Sequence, residues 1–197
     1  MNYRSILFFL GIYSLLISVF SILNIFYSIY FEFIIGISSY LITFLFSFII
    51  GSIFFYLGRN EGKDISLTNQ IIFIFLSFIF LPCLIALPYF LSIYSIGLID
   101  SYFESISGFT ATGFSIIQNI ENIDEPLILW RSSSQWIGGL FFLAVTIGTV
   151  GSKQIKIKPA YLISGGASGR NFYKNFNYNF IKIFIIYFSI TIFSIIL

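Results

Sequence analysis

The sequence predicts an all-α integral membrane protein, and three observations carry that prediction. First, 58% of the 197 residues are hydrophobic and only 9% are charged, against about 25% charged in a soluble domain. Second, the charges leave four long intervals empty: 27 residues between Arg4 and Glu32, 26 between Glu32 and Arg59, 35 between Asp64 and Asp100, and 21 between Arg131 and Lys153. A helix crosses the roughly 30 Å hydrocarbon core with about 20 apolar residues, so each interval can span. Third, the first apolar stretch is too long for a signal-peptide core, and no small-x-small cleavage pattern closes it. It is expected to stay as an anchor.

The elements follow in order. Spans are expected over 5–30 and 34–57, separated by a break at Glu32. The polar, Gly-containing 58–70 segment is a loop. The third span, 70–94, contains Pro82 and Pro88, which are tolerated where neighbours satisfy the freed carbonyls and which bend the half nearer Asp100. Residues 95–125 are too polar at both ends to span and too apolar in the middle for an ordinary loop. A fourth span covers 126–150, a basic Gly/Ser-rich linker 151–177, and a final apolar run 178–197 is barely long enough to cross. The expected divisions are 1–64, 65–152, 153–177 and 178–197.

Charge placement predicts orientation. With four spans before Lys153, nine basic residues fall on one side and only Arg131 on the other. The excess of Lys and Arg predicts a cytoplasmic N-terminus and a cytoplasmic 151–177 linker. Glu32, Asp100, Glu104, Glu121, Asp124 and Glu125 then face outside. They either concentrate cations at a pore mouth or simply solvate the outer loops.

Composition also excludes classes. The single Cys83 rules out an intrachain disulfide and, inside an apolar run, is expected to be a buried small hydrophobe. One Cys and no His argue against a transition-metal site. No carboxylate within a span and no nucleophile–base pair argue against a membrane enzyme. Nothing in the chain points to nucleic acid; its expected surroundings are membrane lipid.

The chemistry is concentrated in Asp100-Ser-Tyr-Phe-Glu104-Ser-Ile-Ser-Gly108-Phe-Thr110-Ala111-Thr112-Gly113-Phe114. Ser101 with Glu104 forms a capping box, and Asp100 is an equally good N-cap; either starts a helix. Ser101–Phe109 is nine residues, about 13 Å at 1.5 Å per residue, half of a bilayer. Gly108 and the Thr-Ala-Thr-Gly run favour leaving the helix, and the acidic 121–125 cluster requires a return to the outside. The result is a re-entrant hairpin. Irregular backbone at that depth survives only when buried in protein or lining water, and a ring of its carbonyls can replace the hydration shell of K+. The negative C-terminal end of the half-helix favours a cation, and Gly113 supplies dihedrals that a Cβ resists. Small residues such as these also let two helices pack closely; the pattern alone leaves both readings open.

The pattern Phe103-Glu104, Ser107-Gly108-Phe109-Thr110 and Thr112-Gly113, followed by Trp130-Arg131-Ser132 and Gln135-Trp136-Ile137-Gly138-Gly139, resembles the Trk/Ktr/HKT superfamily of cation transporters, and within it the bacterial Trk-type potassium uptake subunits. The resemblance extends more loosely over 65–150. It implies a pore of four helix–pore helix–helix repeats in one polypeptide, each giving one filter strand. Ala111 departs from the commoner Thr at a position that offers its backbone carbonyl. Carried over, the ion-facing carbonyls are those of Thr110, Ala111, Thr112 and Gly113. A Gly at the Gly113 position goes with K+ preference in this family, and a Ser there in the first repeat with Na+ permeability. Asp100, Glu104, Gly108 and Arg131 are expected to support the loop. No cofactor is implied beyond transported K+.

Arg131 is either a snorkelling anchor or the ion-pair partner of Glu104 or Asp100. Gly138 and Gly139 are expected to let the fourth span approach the pore helix. Trp130 and Trp136 are belt aromatics or packing residues, the deeper Trp136 being the packing candidate. Lys182 is expected to snorkel, and 171–179 to be an interfacial linker.

The chain holds one complete repeat and the opening helix of a second. It is therefore expected to be the N-terminal portion of a longer transporter in a bacterial plasma membrane. Its expected partners are the missing repeats or a homodimer copy, with a cytoplasmic nucleotide-binding regulatory subunit as in the Trk branch. A homotetrameric single-repeat channel and a non-transporting membrane scaffold are the alternatives.

Overall fold

The computed structural model describes residues 3–59, 67–117, 123–150 and 172–196. The expectations for the 60–66 loop residues, Glu121 and the basic 151–171 linker lie outside these. The described residues are helical without strands: α1 Tyr3–Tyr30, α2 Ile34–Gly58, α3 Leu67–Ile85, the single turn α4 Leu87–Phe90, α5 Leu98–Phe109, α6 Glu125–Val150 and α7 Phe172–Ile196. Tyr3–Tyr30, Gly36–Gly58 and Asn69–Phe90 are long and apolar enough to cross a membrane. The chain is an all-α integral membrane protein. α6 is 26 residues long, but Arg131 and the Ser132–Gln135 row interrupt its apolar character. In α7 the apolar stretch is Ile181–Ser194.

α1 and α2 form an antiparallel hairpin through a turn at 31–33. Their backbones touch because glycines line the seam. A Cβ on Gly11 would meet the Phe55 nitrogen at 2.6 Å, and one on Gly58 would meet the Arg4 carbonyl at 2.6 Å. α1 is the inner helix of the pair: 56% of its most apolar stretch is buried, against 22% for α2. Its buried serines other than Ser5 bond to its own backbone. Ser14, Ser21 and Ser28 each donate to the carbonyl four residues back, at 2.8, 3.1 and 2.8 Å, a polar stripe closed on its own helix.

α1 then packs on α3 and α6 through an aromatic cluster centred on Phe141. The Phe141 ring lies 5.2 Å from Tyr13 of α1, 5.8 and 5.4 Å from Phe73 and Phe78 of α3, and 5.2 Å from Phe109 of α5. Such edge-on and tilted pairs are worth about 0.5–1.5 kcal/mol each beyond burial. Phe141 thus holds four helices at the C-terminal end of α5.

The third span breaks between α3 and α4, at Ala86. Pro88 has no N–H to give the carbonyl one turn back. Beside the Leu84 carbonyl that this frees, the Ile85 carbonyl accepts the Trp130 indole N–H of α6 at 3.0 Å. Trp130 is 1% exposed, its ring tilted against that of Tyr40 at 5.9 Å. It is therefore a packing residue, and the belt reading does not hold for it.

Two further expectations are corrected. Cys83 is exposed, its thiol donating to the Ile79 carbonyl at 3.2 Å, because it lies on the outer side of α3. The final helix starts at Phe172 rather than Tyr178, since NFYKNFNYN contains no Gly or Pro to keep it out of a helix.

Candidate functional site

α5 is 12 residues long, about 18 Å at 1.5 Å per residue. It is amphipathic, burying Ser101, Glu104, Ser105, Gly108 and Phe109 while Phe103 is 43% exposed. Its start differs from expectation. Gly97 is the N-cap and no side chain caps it. Asp100 lies in the first turn, exposed, where its charge suits the helix dipole. The Ser101 hydroxyl donates to the Ile96 carbonyl at 3.4 Å, and Glu104 is occupied elsewhere. The capping box therefore does not form: Glu104 has stronger partners across the fold than at its own helix start.

Gly108 does not end the helix either, which continues through Phe109. Its missing side chain is needed for packing: a Cβ there would collide with the Ser134 hydroxyl of α6. One turn on, a Cβ at Gly138 would run into the Phe109 carbonyl. Ser134 and Gly138 thus form a small-xxx-small seam for the end of α5. Gly139 faces the other way, toward the Tyr187 hydroxyl of α7 at 2.5 Å from a would-be Cβ. Trp136 is likewise turned to α7, donating to the Thr191 hydroxyl at 2.9 Å over the Tyr187 ring at 4.9 Å.

The helix stops at Thr110 and Ala111. The Thr112 N–H returns to the Ser107 carbonyl at 3.1 Å and the Ala111 N–H to Gly108 at 2.9 Å, the paired bonds of a Schellman motif. Ala111 takes the left-handed position at φ 55°, and Gly113 follows at φ 79°. From here to 117 the chain follows no regular secondary structure. Thr110, Ala111, Thr112 and Gly113 are all exposed. Among the described residues, the carbonyls of Thr110, Ala111 and Thr112 accept no hydrogen bond. The Thr110 and Thr112 hydroxyls face each other at 3.2 Å.

Behind this strand lies a buried ion pair. Arg131 Nη1 donates to Glu104 Oε2 at 2.7 Å, the two side chains being 13% and 0% exposed. Glu104 Oε1 accepts from the Ile116 N–H at 2.6 Å and the Ser115 hydroxyl at 2.7 Å. Arg131 Nη1 also donates to Ser115 Oγ at 2.8 Å, and Nη2 donates to the Gly113 and Phe114 carbonyls at 3.2 Å each. The Ser107 hydroxyl donates to the same Phe114 carbonyl at 2.5 Å. The partner of Arg131 is thus Glu104, and Asp100 takes no part. One carboxylate and one guanidinium clamp 113–116 between α5 and α6. Gly113 gives one carbonyl lone pair to the clamp and keeps its second.

Sequence reasoning missed Ser115 and Ser107. Ser107 had a place in the motif but no role of its own, and Ser115 is a short hydroxyl beside Gly113, a composition that signals a loop and nothing more specific. Outside the loop, Tyr102 ties α5 to α3 by donating to the Ile79 carbonyl at 3.1 Å. Asp124 caps α6, its carboxylate accepting from the Leu127 N–H at 3.0 Å. No group of three or more His, Cys, Asp or Glu residues suited to a metal occurs among the described residues.

These features define an all-helical membrane protein with a short amphipathic helix followed by an irregular segment clamped between two helices. Comparison with known proteins finds about half of the chain similar to Trk potassium uptake proteins and to a cation transporter. The chain is 31% identical over 110 residues to an uncharacterized cation transporter of Methanocaldococcus jannaschii, covering 53% of this chain and 23% of that protein. It is 35% identical over 72 residues to the Trk system potassium uptake protein TrkI of Halomonas elongata (36% of this chain, 15% of TrkI). It is 26% identical over 106 residues to the Trk system potassium uptake protein TrkH of Salmonella typhimurium (53% and 22%). The chain therefore spans less than a quarter of the length of these relatives. No family model matches it.

Proposed function

We propose that this chain contributes one strand of the selectivity filter of a Trk-type potassium uptake protein, with Thr110, Ala111, Thr112 and Gly113 offering their backbone carbonyls to K+. The observation that carries the reading is an exposed segment whose Thr110, Ala111 and Thr112 carbonyls accept no hydrogen bond among the described residues, backed by a buried Glu104–Arg131 clamp that also holds the Gly113 carbonyl. A packing loop has no need of exposed carbonyls, and at membrane depth they require water, protein or an ion. A dehydrated cation meets that need, and the C-terminal end of α5 favours its charge. The 12-residue length of α5 suits a helix that enters a bilayer of about 30 Å and turns back.

In this reading the chain sits in a bacterial plasma membrane with its N-terminus in the cytoplasm. The remaining filter strands come from further repeats or from other copies, and a nucleotide-binding subunit regulates transport from the cytoplasmic side. The test is uptake of the K+ tracer Rb+ by cells lacking their own potassium uptake systems, expressing the full coding sequence that contains these residues. Gly113→Ser is expected to lower the K+ over Na+ preference at unchanged membrane abundance. Normal expression with no growth at low K+ and no Rb+ uptake would favour a non-transporting scaffold.

A further inference from the structure

We infer that Ser115 is a positioning residue for ion selectivity, acting through Arg131 on the Gly113 carbonyl. The inference rests on the filter reading above and adds a residue that the matching motifs do not contain. Ser115 Oγ is a saturated node. It donates to Glu104 Oε1 at 2.7 Å and accepts from Arg131 Nη1 at 2.8 Å and from the Ile117 N–H at 3.1 Å. A hydroxyl has one proton and two lone pairs, so all three capacities are used.

The position of this node matters because a guanidinium is planar and rigid. The Nη1 side of Arg131 is held by Glu104 and Ser115, and Nη2 holds the carbonyls of Gly113 and Phe114. With two anchors on Nη1, the plane cannot rotate. With Glu104 alone, the fork can pivot about a single bond, and the Nη2 contacts, already at 3.2 Å, are the ones to break. The Phe114 carbonyl has a second donor in Ser107. The Gly113 carbonyl has no such second donor among the described residues, and at φ 79° its glycine has little steric resistance to reorientation. Loss of the Ser115 hydroxyl therefore acts on one carbonyl of the strand, and the ion pair stays in place.

The experiment compares Ser115→Thr with Ser115→Val, which share shape and differ in the hydroxyl, alongside Ser115→Ala and Gly113→Ser. All are read in the full transporter as Rb+ and Na+ uptake per unit of membrane-inserted protein. Ser115→Val and Ser115→Ala are expected to lower the K+ over Na+ preference about tenfold, as for a lost hydrogen bond to a charged group, with Ser115→Thr restoring it to near the parent value. Three results overturn the proposal. If Ser115→Val matches the parent while Gly113→Ser shifts preference, Ser115 has no positioning role and the filter reading stands. If Thr and Val are equally impaired, shape rather than the hydroxyl matters. If neither Gly113→Ser nor Ser115→Val changes ion preference, the filter reading falls and this inference with it.

Discussion

Two helix ends in this chain are built alike and lead to different structures. α1 ends with the Phe33 N–H returning to Ser28 and the Glu32 N–H to Ile29; α5 ends with Thr112 returning to Ser107 and Ala111 to Gly108. The pivots are both left-handed non-glycine residues, Glu32 at φ 57° and Ala111 at φ 55°. After Glu32 the chain enters α2 at once, and that helix supplies the next hydrogen bonds. After Ala111 the chain stays irregular, and its bonds come from Ser107, Glu104 and Arg131. The cap only reverses the chain. Whether a helix or an exposed strand follows depends on what lies behind it, and here that is an ion pair.

The largest test of this contrast removes the clamp. Arg131→Gln leaves the Glu104 carboxylate at 0% exposure without its cation, at a cost of about 3–5 kcal/mol. The expected outcome is loss of both detergent-stable protein and Rb+ uptake, while Glu32→Gln in the other turn changes neither. An Arg131→Gln transporter with parental uptake and stability would break the comparison.

A smaller effect is expected from crowding each turn. Gly138→Ala drives a methyl into the Phe109 carbonyl, a backbone atom with no freedom to move. Gly36→Ala beside the first turn meets only the Phe33 ring, at 2.6 Å, and a side chain can swing aside. The first is expected to cost about 1–3 kcal/mol, as overpacking does, and the second clearly less. Melting temperatures of the two variants in detergent measure the difference.

The smallest effect sharpens the contrast most. Ala111→Gly and Glu32→Gly each relieve a left-handed residue and are expected to change stability by less than about 1 kcal/mol, since glycine's entropy offsets the relief. Function separates them: Ala111→Gly is expected to weaken ion preference in tracer uptake, and Glu32→Gly to leave it untouched.

Much of this was legible in the sequence because charge is scarce in it. The charge-free intervals locate α1, α2 and the α3–α4 span, and the break at Glu32 coincides with the turn. Of the two acids offered as partners for Arg131, three-dimensional proximity chose Glu104. The illegible parts depend on what lies across a gap. Gly108 reads as a helix breaker along the chain, yet its role is set by Ser134 of a different helix. Ser115 looks like any loop serine until Glu104 and Arg131 converge on it. Cys83 sits in an apolar run that has an inside and an outside, and with hydrophobic residues on both faces of α3 the run carries no mark of which is which.

The clamp also has a consequence for biosynthesis. Glu104 and Arg131 are 27 positions apart, with Ser115 between them, so the whole network belongs to one short stretch of nascent chain. The clamped segment can acquire its shape as soon as α6 has been made, without a template from outside this stretch. In the filter reading, a pore built from such units would join finished parts, and an error in one of them would stay local to it.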